Sequence, residues 1–493
     1  MSNYRFNLSR HLLLSPSTWH LPSRSLANGS GQKSTRAHKR LFATHSKRGI
    51  EAVSFLPTYL ADARAVERYS PETPDGALQL GIAENKMLED LLVPALTKFG
   101  STTFATDCIY YQQTQGRPGV RQAMADYLQR TLKLSRPLQA ESIILGAGCN
   151  AVLENLCICL ADPGQGVLIP TPYYAAFEFD LAARASLTII PVNTFAGSGA
   201  DIPPVDSNET IPIEAYYPTP TSLEATYQRA IENGEDPRIL LLSHPNNPLG
   251  ICYPPHIVED CIIWCRSRQI HLVSDEIYAG SVYRDSSVFT SALEIAGELG
   301  SYVHMVYALS KDFALSGLRV GVCYSENPDI QVPLQKLNDL CQISSQTQVL
   351  VEKMMTEQDN TSGDYWASTF IQENHCRLRA RGDTLQNILD ECEIPHLSAD
   401  SGLFCWMDFS DFLPPLDPAS VSKDGMESSG SMQERERTLY LELMKDYGLL
   451  FTPGLSMRSE RPGFFRCVFT AASDDEFSLS LERLRKFVAE KKR

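Results

Sequence analysis

The chain of 493 residues lacks several patterns that assign proteins to common classes. No apolar run reaches the roughly 18 residues that a membrane-spanning helix needs, so a membrane is not an expected partner. The 13 cysteines form no C-x-x-C pair and have no histidine at ligand spacing, which predicts no metal site and favours a reduced, intracellular compartment. Neither G-x-x-x-x-G-K-[ST] nor G-x-G-x-x-G occurs, which argues against P-loop and dinucleotide sites.

Acidic residues are absent from the first 50 positions, which carry nine lysines and arginines. The rest of the chain then holds 35 basic and 59 acidic residues, a formal charge of −24, so nucleic acid is not an expected partner. Residues 1–48 form a basic extension rich in serine, arginine and histidine. This composition is typical of mitochondrial transit peptides and of disordered tails alike, so both a cytoplasmic and a mitochondrial location stay open.

Apolar segments recur along the body of the chain, near residues 142, 167, 188, 239, 270, 304 and 320. Helical patterns or loops separate them, which predicts an α/β fold with a seven-stranded, mostly parallel sheet. Two stretches rich in proline, serine, glycine and aspartate, 196–221 and 414–433, are predicted to be loop insertions.

A lysine follows one of these apolar segments, and an arginine follows the lysine eight residues later. His304–Leu309 predicts a buried strand, so Lys311 lies where ligands bind in open α/β sheets. A desolvated amine there has a depressed pKa and attacks aldehydes, while Arg319 offers a planar fork to a phosphate. Together they predict a Schiff-base site for pyridoxal 5′-phosphate (PLP). Taken alone, the segment is also compatible with a surface lysine and an ordinary ion-pair arginine.

Polar residues follow two further predicted strands. Asn247 comes just after the apolar run Ile239–Leu242, in position to bond the phenolic oxygen of the cofactor. Asp275 ends another strand and is predicted to keep the pyridinium nitrogen protonated, which makes the ring an electron sink. Tyr278 is within reach of the same phenolic oxygen. By itself, an aspartate after a strand more often caps a helix.

The phosphate is predicted to bind where Ser142–Asn150 passes from a strand through small residues into a helix. The free backbone amides at the start of that helix suit an anion. Further along, Pro170–Phe177 follows a strand and holds two adjacent tyrosines. We favour Tyr174 for stacking on the pyridine ring and Tyr173 for support, although adjacent tyrosines more often serve packing.

With these residues assigned, the chain resembles fold-type I PLP enzymes, and specifically the 1-aminocyclopropane-1-carboxylate (ACC) synthase-like branch of class I and II aminotransferases. The resemblance runs from about Gly49 to Arg466. It depends on the motifs Gly81-Ile-Ala-Glu-Asn85, Leu160-Ala-Asp-Pro-Gly164, Pro170-Thr-Pro-Tyr-Tyr174, Asn247-Pro-Leu-Gly250, Ser310-Lys-Asp312, Gly402-Leu-Phe-Cys-Trp-Met-Asp408 and Gly463-Phe-Phe-Arg466. It implies a large PLP-binding domain of residues 106–364, a smaller α/β domain built from 49–105 and 365–493, and a homodimer.

The resemblance also implies a role for each matched residue. Lys311 forms the Schiff base and then moves the α-proton, and Arg466 binds the α-carboxylate of a small amino-acid substrate. Glu84 matches a position that lines the substrate pocket. The cofactor residues it implies are Gly148, Cys149, Asn150 and Arg319 around the phosphate, Asp275 at the ring nitrogen, and Asn247 with Tyr278 at the phenolate. Tyr174, favoured above for the ring, and Ser310, next to the lysine, are further candidate cofactor residues.

Three positions depart from the pattern of the family. ACC synthases carry a tyrosine, supplied across the dimer interface, where this chain has Thr114, and an arginine where it has Phe179. Both family residues handle S-adenosylmethionine and the cofactor. Many relatives also place a hydroxyl at the position of Ala308, so one phosphate hydrogen bond worth about 1 to 3 kcal/mol is lost unless Ser310 replaces it.

The expected activity is therefore that of an aminotransferase or a carbon–sulfur β-lyase in specialised biosynthesis. ACC synthase is the alternative, since the shared machinery does not choose among transamination, elimination and cyclopropane closure. A non-catalytic, PLP-fold binding or regulatory protein is an alternative of another class. The intact Lys311, Asp275, Arg319 and Arg466 argue against it.

Overall fold

The computed structural model describes residues 46–200, 202–203, 210–285, 288–359, 361–421 and 427–492. Residues 1–45, nearly all of the predicted basic extension, lie outside these ranges, so the extension stays a prediction. From Lys47 onward the chain forms one compact unit. No helix in the described ranges is both long and apolar enough to cross a membrane.

Most strands are short and buried, as a sheet covered on both faces requires. They are β1 (Leu78–Gln79), β2 (Ile143–Ala147), β3 (Gly166–Pro170), β4 (Thr188–Val192), β5 (Pro237–Ser243), β6 (His271–Asp275), β7 (Val303–Ala308), β8 (Val320–Ser325), β9 (Cys405–Asp408), β10 (Leu449–Leu450), β11 (Thr452–Pro453) and β12 (Phe464–Cys467).

Helices separate the strands, and several begin at recognisable caps: Thr219 and Ser222 form a capping box, as do Ser473 and Glu476. The helices are α1 (Lys47–Ser54), α2 (Tyr59–Ala65), α3 (Glu89–Gly100), α4 (Pro118–Thr131), α5 (Cys149–Leu160), α6 (Phe177–Ala182), α7 (Pro220–Glu232), α8 (Pro255–Arg268), α9 (Ala292–Ala296), α10 (Leu309–Asp312), α11 (Pro328–Leu337), α12 (Ser345–Thr356), α13 (Trp366–Glu391), α14 (Ser429–Lys445) and α15 (Asp474–Lys491).

Seven strands form the main sheet in the order β2-β8-β7-β6-β5-β3-β4. Neighbours among β3 to β7 pair in parallel, and β8 runs antiparallel to both β2 and β7. The structure thus confirms the predicted α/β fold with a mostly parallel, seven-stranded sheet. Because parallel strands end at one edge, the residues after β5, β6 and β7 come together there.

Both faces of this sheet are covered. Along β5, Ile239 and Leu241 pack with Leu156 of α5 in one apolar cluster, whereas Leu240 and Leu242 belong to the cluster on the other face. Successive side chains of a strand point to opposite faces of the sheet. A strand that is buried on both faces therefore needs consecutive apolar residues rather than alternating apolar and polar ones.

Two smaller sheets join distant parts of the chain. β1 pairs in parallel with β10, and β11, β12 and β9 form an antiparallel sheet. Residues 78–79 therefore join the C-terminal part of the chain. In α3, Leu92 and Phe99 lie in the same apolar cluster as Leu240 and Leu242 of the large sheet. The domain boundaries stay predictions.

The two predicted insertions contain more regular structure than expected. In 196–221, Ile213–Tyr216 form a 3-10 turn and α7 begins at Pro220. In 414–433, α14 begins at Ser429, capped by the Ser428 side chain. Serine and threonine favour loops and also helix N-caps, so the composition alone extended both predicted loops too far.

Candidate active site

A cavity of about 280 Å³ lies where β5, β6 and β7 end. Most of the residues predicted for the site line it, although they come from segments far apart in sequence. These are Cys149, Asn150, Tyr174, Asn247, Asp275, Tyr278, Ser310, Lys311, Arg319 and Arg466.

Lys311 lies in the short helix α10, directly after β7. Its Nζ donates a hydrogen bond to the carbonyl oxygen of Ala83 at 2.5 Å. Burial, reinforced by the nearby charge of Arg466, lowers the pKa of the Lys311 amine to about 8. About a tenth of this amine is therefore neutral at pH 7, against less than about a thousandth at the ordinary lysine pKa of about 10.4, and the neutral form is the one that attacks an aldehyde.

The residue after the lysine anchors this short helix. Asp312 is fully buried and accepts hydrogen bonds from the backbone N–H of Gly280 at 2.7 Å, the hydroxyl of Ser281 at 2.5 Å and that of Tyr307 at 2.8 Å. Burial raises the pKa of Asp312 to about 7. With three donors on one carboxyl group, the turn that carries Lys311 is fixed in place.

Asp275 ends β6 in register with Ser243 of β5. One of its oxygens accepts from the backbone N–H of Ile277 at 3.3 Å and the thiol of Cys149 at 3.8 Å. Burial raises the pKa of Asp275 to about 7. A buried carboxyl group with only weak donors is stabilised in its charged form by a cation beside it, and a protonated ring nitrogen is such a cation.

The N-terminus of α5 and Arg319 form a close-fitting cradle. Gly148 precedes the helix with φ of 92°, and a Cβ built on it would lie 2.2 Å from a terminal nitrogen of Arg319. Only glycine leaves room for the guanidinium to lie across the helix end. The free amides of α5 and the Arg319 charge together suit a phosphate dianion.

Asp180 was not identified from the sequence. It lines the cavity and accepts a 2.5 Å hydrogen bond from the side-chain amide of Asn150, and burial raises its pKa to about 6. The Asn150 side chain is thus engaged, which leaves its backbone amide for a phosphate. An acidic residue in the first turn of a helix is ordinarily explained by the helix dipole, so no pattern in the sequence marked Asp180 as a site residue.

Arg466 is 3% exposed and lies on β12. One terminal nitrogen donates to the Asn247 side-chain oxygen at 2.7 Å, and the other to the carbonyl of Gly81 at 2.7 Å and the hydroxyl of Thr452 at 3.2 Å. Its Nε is buried without a partner in the described ranges. Thr452 faces Arg466 across the β11–β12 pair, which sequence reasoning missed because it requires the strand register.

Two aromatic residues, Tyr174 and Tyr278, also line the cavity. The Tyr174 ring packs edge-on against Phe177 at 5.3 Å, and the Tyr278 ring packs edge-on against Phe404 at 5.2 Å. Burial raises the pKa of the Tyr278 phenol, which keeps it protonated and able to donate. Tyr173, predicted as support, donates from its hydroxyl to Glu178 at 3.0 Å.

Glu84 is not among the residues that line this cavity, and its side chain is exposed. One of its oxygens accepts a hydrogen bond of 3.5 Å from the hydroxyl of Ser316, which does line the cavity, and its charge partly offsets the lowering of the Lys311 pKa. Its role beside the substrate stays a prediction. The departures Thr114 and Phe179 are not among the residues that line the cavity either, and Ala308 is a fully buried end of β7.

The donor set fits PLP. The cavity supplies an amine of lowered pKa for the aldehyde, a buried carboxyl group for the ring nitrogen, and a glycine-lined helix end with an arginine for the phosphate. The unpartnered Nε of Arg466 marks an additional place for a carboxylate.

Comparisons with known proteins point in the same direction. Residues 78–484 match the family described as aminotransferase class I and II. The chain is 32% identical to ACC synthase 11 of Arabidopsis thaliana over 84% of both chains. It is 33% identical to ACC synthase 7 of the same plant, over 85% of this chain and 89% of the relative.

The fold has solved counterparts. A single mutant of Thermus thermophilus aspartate aminotransferase superimposes with a TM-score of 0.65, covering 92% of this chain and 100% of that one. The two sequences are 19% identical, so this likeness concerns the fold.

Proposed function

The chain belongs to the aminotransferase class I and II family, in its ACC synthase-like branch, and on this basis we propose that it transforms an amino acid with PLP bound at Lys311. The family and the fold are PLP-dependent. The observation that carries the proposal is the position of Lys311: an amine with a pKa of about 8, at the edge of the sheet where Asp275 and the phosphate cradle meet.

Each of the main site residues has a separate role in the proposed reaction. Bound PLP supplies an aldehyde and a ring that accepts the electron pair left when the α-proton departs. Arg466 binds the substrate carboxylate and orients the amino acid. Lys311 accepts the α-proton at its Nζ, and the same amine can then donate the proton to a different atom. Asp275 holds a proton on the ring nitrogen.

Within this family we favour an aminotransferase or a carbon–sulfur β-lyase. The support comes from the two positions where ACC synthases carry a tyrosine and an arginine and this chain carries Thr114 and Phe179. This chain therefore lacks the phenol and the guanidinium with which those enzymes handle S-adenosylmethionine. ACC synthase remains the second candidate because of the similarity to the plant enzymes.

We also propose a homodimer. The segment from Phe104 to Tyr111 supports it, because large apolar side chains there point to solvent: Phe104 is 78%, Ile109 75%, Tyr110 63% and Tyr111 fully exposed. Clustered apolar residues of this size ordinarily mark an interaction surface. A symmetric pair covers the same patch on both copies.

The test is product analysis with the purified holoenzyme. A panel of amino acids and cysteine conjugates is incubated with and without a 2-oxo acid acceptor. A keto acid that requires the acceptor identifies transamination, and pyruvate plus a thiol without the acceptor identifies β-elimination. ACC from S-adenosylmethionine as the main product would replace this proposal by the second candidate.

A further inference from the structure

The part of the cavity that remains for a substrate side chain is apolar. Lys311, Arg319 and Arg466 are the lysine and arginine residues that line the cavity in the described ranges, and the proposed function uses all three. On the side of the N-terminal helices, the wall of the cavity consists of residues without a role in the proposed function, namely Leu56, Pro57, Tyr59, Leu60, Ile82, Ala175 and Met457. This wall offers no cation to a second carboxylate.

A second cavity, of about 330 Å³, adjoins the first. Leu56, Pro57, Tyr59 and Ala175 line both cavities, so the two cavities meet at these residues. The second cavity has a mixed lining: Phe55, Tyr440, Pro453 and Leu455 are apolar or aromatic, Ser54, Thr58, Gln433 and Ser456 are polar, and five further residues are charged.

The charged residues of the second cavity are engaged with one another. Arg437 pairs with Asp62 at 2.9 Å, and Arg458 pairs with Glu178 at 2.6 Å. Glu436 faces the backbone, where it accepts hydrogen bonds from the N–H of Leu455 at 2.8 Å and of Gly463 at 2.9 Å. Two carboxylates are thus paired with the two arginines, and burial raises the pKa of the third carboxyl group, Glu436, to about 8, so that it is mostly uncharged near neutral pH.

We propose that the substrate amino acid has a large, uncharged side chain whose apolar part lies against the wall of the first cavity and whose distal part reaches the second cavity. This inference rests on the proposed function, since Arg466 and Lys311 fix the other end of the substrate. A dicarboxylic amino acid would bury its second carboxylate beside Leu56 and Tyr59 without a cation, which is strongly unfavourable. An aromatic or thioether group instead binds favourably, because its apolar surface is removed from water.

Carboxylic acids without an amino group test this subsite separately from the chemistry. Calorimetry on the holoenzyme compares 4-phenylbutanoate with glutarate and with butanoate. We expect 4-phenylbutanoate to bind about tenfold or more tightly than either, because one methylene in an apolar pocket already discriminates by about that factor. Glutarate binding as tightly as 4-phenylbutanoate would overturn the inference.

The same titrations distinguish a failure of the apolar subsite from a failure of the proposed function. If glutarate is preferred and amino acids still change the cofactor absorbance, the apolar subsite is wrong and the proposed function stands. If no amino acid changes the cofactor absorbance and no carboxylate binds, the proposed function fails, and the inference with it.

A substitution locates the distal group. Ser456 lines the second cavity and not the first, so Ser456→Trp should fill it, weakening 4-phenylbutanoate about tenfold while leaving butanoate unchanged. Val53→Trp is the matched control, because Val53 is 66% exposed on α1 and lines neither cavity. Equal binding of 4-phenylbutanoate to both variants, with cofactor absorbance intact, would overturn the placement. Should Ser456→Trp not fold, the ligand series on the unmodified holoenzyme decides the matter.

Discussion

A terminal nitrogen of the Arg466 guanidinium donates a hydrogen bond to the side-chain oxygen of Asn247 at 2.7 Å. This bond links β12, near the end of the chain, to the turn after β5 in the main sheet. The Asn247 oxygen is occupied, so its amide nitrogen is the group left to donate to a phenolic oxygen. One interaction thus orients a predicted cofactor residue and a predicted substrate residue together.

We expect Arg466→Ala to raise the amino-acid KM by a factor that corresponds to roughly 2 to 5 kcal/mol, as for the loss of one partner of a desolvated charge pair. The melting temperature should also fall, because Asn247, Thr452 and the Gly81 carbonyl lose a buried donor, and the cofactor absorbance should shift through Asn247 while the protein stays folded. Arg485→Ala is the control, since Arg485 is a half-exposed arginine paired with Glu391. Unchanged substrate kinetics, or collapse of the fold, would show that Arg466 has a structural role instead.

The lowered pKa of Lys311 predicts how cofactor addition depends on pH. The neutral amine is the attacking form, and its fraction grows as pH rises through about 8. The rate at which PLP adds to the apoprotein should rise about tenfold per pH unit below that value and then level off. An N-acetyl-lysine control should keep rising toward its ordinary pKa of about 10.4. A protein profile that follows the control would contradict the burial of this amine.

Sedimentation should show a homodimer. We expect the double substitution Ile109→Arg with Tyr111→Arg to shift the protein toward monomer, because it places two charges in the exposed apolar segment. Val332→Arg is the control on α11, where Val332 is 61% exposed and outside that segment. A monomer with full turnover at assay concentration would refute the dimer.

ACC formation from S-adenosylmethionine should be absent or marginal. Thr114 supplies no phenol and Phe179 no cation, whereas the groups that move the α-proton, Lys311 and Asp275, are both in the cavity. We therefore expect exchange of the α-proton of some amino acids in deuterated water, without cyclopropane closure. Chromatography for ACC reports the second step. Efficient ACC formation would show that these two positions do not control the choice of reaction.

Much of the fold followed from the sequence, because apolar runs and the residues after them mark the strands and their ends. Lys311, Asp275 and Asn247 each follow such a run. Thr452 was out of reach, since it meets Arg466 only through strand register. Asp180 was missed for a related reason: it belongs to α6, and only the fold brings it against the Asn150 side chain at the start of α5.

Covalent binding of PLP at Lys311 leaves a chemical mark that can be mapped. The holoenzyme is reduced with borohydride, digested and mapped by mass spectrometry for the pyridoxyl group. We expect the label on Lys311 and its loss in Lys311→Ala. A label on another lysine, or a protein that carries PLP without any reducible linkage, would contradict it.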